Sequence, residues 1–158
     1  MDKSKSPQTA DLKSALSQLE TTLEEYLVKK APFTIPNNIR ELLVKIAPWL
    51  VLIGVILAIP GILVLLGLGT IVAPFAVLGG VRAIGTFSLS MIFVVIVLIL
   101  EAIALPGLFK RSRSGWNFLF YATLVGVIQN IISFNIGGLI IGSLLSLYIL
   151  FQVKGYYK

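Results

Sequence analysis

The chain has 158 residues, of which 57% are hydrophobic and only 13% charged, and its mean hydropathy is +0.96. Soluble domains contain about 45–50% apolar residues, so the composition excludes an ordinary soluble protein and predicts an integral membrane protein. The formal net charge is +6, but the basic residues flank apolar segments, which indicates orientation in a membrane and contact with anionic lipid headgroups rather than nucleic-acid binding.

The residue types available also limit the chemistry. The chain contains no Cys and no His, which excludes disulfides, thiol catalysis and most transition-metal sites. Hydrolysis within a membrane needs a nucleophile with a base, a carboxylate pair or a metal cluster, and the sequence offers none of these. We therefore expect a protein that is not an enzyme and that has no cofactor and no metal.

The first predicted element is a helix over residues 7–30, because Ser6-Pro7 is a typical helix start and Pro32 would end the helix. Its large apolar side chains recur at alternating four- and three-residue spacings. They form a seam of Leu12, Leu16, Leu19, Leu23 and Tyr26. The seam is typical of a short coiled coil that joins protomers. It is also typical of an amphipathic helix resting on the membrane or on the chain's own transmembrane domain, and its length of barely two heptads favours this second interpretation.

Acidic residues on the polar side of this helix, Glu20, Glu24 and Glu25, disfavour deep binding to anionic lipid. They favour contact with protein instead. The sequence thus leaves open whether the helix joins a second copy, another protein or its own bundle.

A second helix is predicted after Pro36, lying at the membrane interface with Trp49 at the headgroup level. The first span follows over about residues 46–66, where a kink is expected at Pro60-Gly61. Residues 67–85 are too short and too broken to span, and two interpretations remain open for them: an interfacial loop or a re-entrant segment.

The second predicted span covers about residues 86–105 and contains one charged residue, Glu101. Pro106 and Gly107 are predicted to end it, and a basic loop follows. A carboxylate within a span costs about 2.5–3.5 kcal/mol and is by default a candidate functional residue. With the helix ending at Pro106, Glu101 would lie about 7–8 Å from that end.

This depth favours a structural ion pair, with three candidate partners at the same face: Lys45, Lys110 and Arg111. The alternatives are a polar lining of an ion or proton path and a contact with lipid or a partner.

The third and fourth spans are predicted over about residues 116–133 and 136–153, joined by a tight turn into a helical hairpin. Small residues that permit close helix approach recur on both arms. They are Ala122 and Gly126 on the third span and Gly138, Gly142 and Ser146 on the fourth. Because the short turn forces the arms together, these stripes are expected to face each other, the alternative being a homo-oligomer contact. A polar cluster near the outer end of the hairpin is expected to hydrogen-bond across helices or to meet water, and consists of Gln129, Asn130, Ser133 and Asn135. Gln129 and Asn130 are also candidates to line an ion path.

The distribution of positive charge predicts the orientation. With four spans and the amino terminus inside, all Lys and Arg residues except Arg82 fall on the cytoplasmic side, which is 12 of 13. We expect a multi-pass protein of the cell (inner) membrane with both termini cytoplasmic.

The segments GWNFLFYATLVGVIQN and LSLYILFQVKGYYK resemble the end of small bacterial four-span integral membrane proteins. The resemblance covers residues 115–158. It implies a bacterial membrane setting, and no functional residue is transferred from it.

The sequence thus predicts an all-α polytopic membrane protein: an amphipathic N-terminal helix and linker (residues 1–34), then a four-helix transmembrane domain that begins with an interfacial helix (residues 35–158). The favoured function is a non-catalytic membrane scaffold or assembly subunit that self-associates or binds a partner through the N-terminal helix. The alternative is a small oligomeric channel or carrier with Glu101, Gln129 and Asn130 lining an ion or proton path.

Overall fold

A computed structural model describes residues 7–63, 67 and 89–158. These residues form helices and connecting turns, with no strand among them. Four of the helices are long and apolar enough to cross a membrane, which confirms the predicted all-α fold with four candidate spans. The connector predicted over residues 67–85, apart from Gly67, lies outside the described residues, as do residues 86–88 at the start of the predicted second span.

Five helical elements are numbered here in chain order. They are α1 (Pro7–Glu24), α2 (Asn37–Leu63), α3 (Leu89–Phe109), α4 (Arg113–Ile132) and α5 (Gly138–Tyr156). A π-helical turn, Glu25–Lys29, extends α1, with the Lys30 amide donating to the Glu25 carbonyl at 2.8 Å. The first part of α5, Gly138–Leu144, is also π-helical, and its last turn, Lys154–Tyr156, is a 3₁₀-helix.

The predicted interfacial helix and first span form one continuous helix, so the prediction of two separate helices was wrong, and the interfacial position of its first part stays a prediction. α2 runs without interruption from Asn37 to Leu63 and includes both Pro48 and Pro60. Proline removes one helical hydrogen bond and normally costs about 3 kcal/mol in a helix interior. Pro48 is buried beside Val44, and packing of this face against the other helices offsets that cost.

The predicted end of the second span at Pro106 was also wrong, because α3 continues through Pro106 to Phe109. The helix ends in a Schellman motif, in which Arg111 N–H donates to the Leu108 carbonyl at 3.1 Å and Ser112 N–H to the Gly107 carbonyl at 2.8 Å. Arg111 has a positive φ of 52°, a conformation usually taken by glycine at this position. The backbone turn after the helix, not the proline, therefore decides where the helix ends.

The buried core lies at one end of the bundle, around Trp116. This side chain is fully buried, stacks on Phe120 and meets Phe151 edge-on, with ring centroids 5.3 Å apart in both pairs. Its indole N–H donates to the Leu150 carbonyl at 2.9 Å, which joins α4 to α5. Towards the other end the outward faces remain apolar and exposed, as at Leu57 and Ile99, which is the surface that a hydrocarbon environment favours.

Candidate functional site

The end of the bundle that carries most of the described charge is termed the basic end. It consists of the start of α2, the α3–α4 loop and the end of α5. α1 is attached here by ion pairs: Glu20 pairs with Arg113 and lies 3.0 Å from the Lys154 ammonium, and Glu24 also pairs with Lys154. Because Arg113 begins α4 and Lys154 follows the α-helical part of α5, these ion pairs join α1 to both arms of the hairpin.

The two cations also contact the aromatic core. The Arg113 guanidinium lies 4.3 Å from the Trp116 ring centroid, and the Lys154 ammonium lies 5.6 Å from it. An ion pair over an aromatic face is partly shielded from water, and the ring's negative face favours the cations. The α1 ion pairs are therefore better placed to contribute to stability than isolated surface pairs.

Gln152 is a buried residue of the basic end that the sequence pattern did not single out. Its side chain is buried, accepts a hydrogen bond from Arg40 at 2.8 Å and donates to the Leu27 carbonyl at 2.9 Å. It thus connects α1, α2 and α5. The only sequence signal was a lone amide near the end of an apolar segment. Within the described part of the chain, the Arg40 Nε atom is buried without a hydrogen-bond partner.

The attachment of α1 divides the predicted seam. One side of the helix packs against the core through Leu23, Leu27 and Val28. Leu16 of the seam is half-buried. The outer residues of the seam form the exposed α1 stripe, with exposed fractions of 65% for Leu12, 40% for Leu19 and 59% for Tyr26. A symmetric coiled coil that uses the complete seam would have to displace Leu23 from the bundle.

A second feature of this end is a groove of about 560 Å³ between the α3–α4 loop and the chain's last residues. Among the described residues it is lined by Lys110, Arg111, Ser112, Gly155, Tyr156 and Lys158. This basic groove is shaped by the backbone, because Lys158 N–H donates to the Arg111 carbonyl at 3.0 Å and Arg113 N–H to the Lys158 carbonyl at 2.9 Å. Next to it, burial raises the pKa of the Tyr157 phenol above its ordinary value, and the positive charge of Arg111 opposes that rise.

The ion pair expected between Glu101 and Lys45, Lys110 or Arg111 is not formed. Among the described residues, no salt bridge within 4.0 Å involves Glu101. Since α3 continues to Phe109, Glu101 lies eight residues, or about 12 Å along the axis, from that end of the helix. The Phe109 and Trp49 rings are in contact, with centroids 5.3 Å apart, so Trp49 lies level with the end of α3. Lys45 precedes Trp49 in α2 and therefore lies even farther from Glu101.

The three predicted partners, Lys45, Lys110 and Arg111, are exposed at the basic end. Glu101 itself is half-buried on the α3 face that carries the buried Ala104 and Leu108. Glu101 therefore lies on a partly buried face, deeper along the bundle than the basic end.

One member of the predicted polar cluster makes a hydrogen bond across the hairpin: Asn130 Nδ2 donates to the Ser143 hydroxyl at 3.1 Å. Gln129 is half-buried. Gly107 on α3 contacts Gly115 on α4, so depth along both helices can be measured from this contact. Measured in this way, Gln129 lies about 12 Å farther along α4 than Glu101 lies along α3. The structure therefore does not bring Glu101 and Gln129 together in one path lining.

The predicted packing of small residues within the hairpin was wrong for most of its members. A Cβ added at Gly126 or Gly142 would meet no atom within 4 Å, and Ser146 is exposed. Gly138 faces the Asn130 and Asn135 side chains, and only Ala122 is buried. The turn rotates α5 so that the neighbouring stripe with Ser143 and Leu147 faces inward. Close backbone contact occurs instead at Gly107 and Gly115, where α3 meets α4.

Comparison of the chain with known protein families, with curated proteins and with solved structures finds no match. The proposed function therefore rests on the geometry of the chain itself.

Proposed function

We propose that this protein is a non-catalytic membrane scaffold or assembly subunit of a bacterial inner membrane, with four spans and both termini in the cytoplasm. In this proposal α1 binds a second copy of the chain or a partner protein. One observation carries the proposal: α1 is attached to the bundle along one face, while Leu12, Leu19 and Tyr26 remain exposed on another.

The exposed α1 stripe has the spacing that helix partners use. Its members are seven residues apart and so lie on one side of the helix, the arrangement by which amphipathic helices pair. Burying a leucine side chain contributes about 1.5–3 kcal/mol relative to leaving it in water. Attachment of the opposite flank by ion pairs orders α1 before a partner arrives, which lowers the entropic cost of binding.

The topology is supported by charge. α1 and the exposed basic residues Lys45, Lys110, Arg111 and Lys158 lie at one end of the bundle, and positive residues that flank spans favour the cytoplasmic side. Because the chain has no Cys, single-cysteine labelling tests this directly. In intact cells a membrane-impermeant maleimide should label Ser133→Cys, beyond the far end of α4, and leave Ser14→Cys and Ser114→Cys unlabelled until the membrane is opened. The reverse pattern contradicts the topology.

Association through α1 is tested by sedimentation of the full chain in neutral detergent, alone and as Leu12→Ala with Leu19→Ala. The matched control is Ser14→Ala with Thr21→Ala, which removes two exposed side chains of the same spacing from another face of α1. Loss of self-association in the leucine variant only supports the self-assembly form of the proposal. A wild-type chain that is monomeric at all concentrations contradicts that form, and binding of a separate protein through the same leucines would then have to be shown.

A second candidate function is a small channel or carrier that uses Glu101. It is favoured by the half-buried position of this carboxylate, away from the basic end and without a cationic partner among the described residues. Proton or ion flux into liposomes that is present in the wild type and absent in Glu101→Gln would overturn the scaffold proposal. Equal, background flux in both would exclude the candidate.

A further inference from the structure

The basic groove holds cationic side chains that no acidic side chain among its described lining residues balances. Lys110, Arg111 and Lys158 are exposed and take part in no salt bridge within the described part of the chain, and no acidic side chain lines the groove. The neighbouring cations differ in this respect, because Arg113 and Lys154 pair with Glu20 and Glu24. Like charges held close together repel one another, and a bound anion would relieve that repulsion.

Backbone hydrogen bonds hold two of the three basic residues, Arg111 and Lys158, beside each other. Two backbone hydrogen bonds, at 2.9 and 3.0 Å, tie Lys158 to Arg113 and Arg111. Arg111 also occupies a left-handed conformation with φ of 52°, which costs a non-glycine residue about 1–2 kcal/mol. The same conformation ends α3 in the Schellman motif, so the helix end fixes the backbone of Arg111 at the groove.

The groove adjoins the surface expected to face lipid. Phe109 directly precedes Lys110, is exposed, and contacts the exposed Trp49 ring. Exposed aromatic side chains of this kind lie at the headgroup level of membrane proteins. An anionic group bound in the groove would thus have space for attached acyl chains beside Phe109.

We infer that the basic groove binds a phosphate group, and specifically the phosphodiester headgroup of an anionic lipid. Arg111 offers a planar pair of donors that matches phosphate oxygens, and Lys110 and Lys158 add point charges to the same groove. Basic pockets at the cytoplasmic ends of helices bind anionic lipid headgroups in this way. The inference rests on the proposed membrane setting but is independent of any partner binding by α1.

The test is native mass spectrometry of the full chain in neutral detergent with added phosphatidylglycerol or phosphatidylcholine. Wild type should retain phosphatidylglycerol in preference to phosphatidylcholine. The variant Lys110→Gln, Arg111→Gln, Lys158→Gln should raise the dissociation constant for phosphatidylglycerol at least tenfold, since each basic residue near an anionic surface contributes roughly fivefold. The control removes two exposed charges away from the groove, Lys13→Gln and Lys29→Gln on α1 and its π-helical extension, and should bind as wild type does. Its matched comparison is Lys110→Gln with Lys158→Gln.

Inorganic phosphate distinguishes the two sources of the ligand. Competition by phosphate only at concentrations far above those of the lipid supports a lipid site. Phosphate binding as tight as lipid binding would overturn the lipid assignment in favour of a soluble phosphate ligand.

Equal retention of the two lipids by wild type, or equal loss of phosphatidylglycerol in the groove and control variants, would overturn the site itself. If the triple variant fails to fold, Lys110→Gln with Lys158→Gln leaves the Arg111 turn unchanged and tests the same site.

Discussion

Gly107 and Gly115 bring the backbones of α3 and α4 into direct contact. A Cβ atom added at Gly115 would lie 2.4 Å from the Gly107 carbonyl carbon, and one added at Gly107 would lie 2.5 Å from the Gly115 Cα. Both obstacles are backbone atoms, so no side-chain rotation relieves the overlap. This contact positions the basic loop, and with it Arg113 and Trp116, at the basic end.

Gly115→Ala should therefore destabilise the protein by about 2–4 kcal/mol, because the two helices must separate to admit the methyl group. Thermal unfolding in detergent measures the effect. Gly142→Ala is the control, since an added Cβ there meets no atom within 4 Å, and removing a helical glycine should leave stability unchanged or raise it by about 0.5–1 kcal/mol. Equal destabilisation by the two substitutions would contradict the assigned contact.

Glu20→Gln should loosen α1 without unfolding the bundle. The change removes the negative charge shared by Arg113 and Lys154, and we expect roughly fivefold faster amide hydrogen exchange in α1, equivalent to about 1 kcal/mol. Exchange in α4 should change little.

Glu25→Gln is the matched control for this experiment. Glu25 lies in the same helical segment but pairs locally with Lys30 at 2.7 Å. Its exposed pair contributes little to attachment, so exchange in α1 should stay near the wild-type rate. Raising the salt concentration should reproduce the effect of Glu20→Gln in the wild type, and an α1 insensitive to both changes would show that apolar contacts alone hold it.

The two tryptophans should report lipid contact differently. Trp49 is 56% exposed beside Phe109, whereas Trp116 is fully buried. In vesicles, lipids brominated near the headgroup should quench most of the fluorescence of the Trp116→Phe protein, in which only Trp49 remains. The Trp49→Phe protein should be quenched little, and equal quenching in both would contradict a lipid-facing position for Trp49.

Stability should fall above pH 10 through Tyr157. Burial raises the pKa of its phenol above the ordinary value of 10.0, so the unfolded chain ionises first while the folded chain keeps the neutral form. The stability that the neutral Tyr157 phenol contributes is therefore fully present below pH 10 and is lost as the pH rises through the pKa of the folded state. The Tyr157→Phe variant has no phenol to ionise at this position. The Tm of wild type should therefore fall relative to the Tm of this variant as the pH rises above 10. A constant difference would contradict the burial effect.

The sequence was sufficient to predict the helices but not the contacts between them. Hydrophobic length and charge flanks predict a helix and a span locally, and these predictions hold for α3, α4 and α5 with changes at their ends. The failures share one cause. Pro106 is a local signal for a helix end, but the turn at Arg111 decides the end, and this displaced Glu101 from its expected partners. The rotation of α5 about its axis, which faces Ser143 rather than Gly142 towards α4, has no local signal at all.

What the sequence by itself determined is the apolar all-helical character of the chain, its four candidate spans and the concentration of positive charge around their ends. These properties depend on composition and on spacing along one segment. Only the tertiary structure decided that Glu20 and Glu24 lie on Arg113 and Lys154, that Gln152 joins three helices, and that the exposed α1 stripe and the basic groove remain open. Each of these depends on which faces of distant helices meet, and that is settled by side-chain packing and backbone contact across the whole bundle.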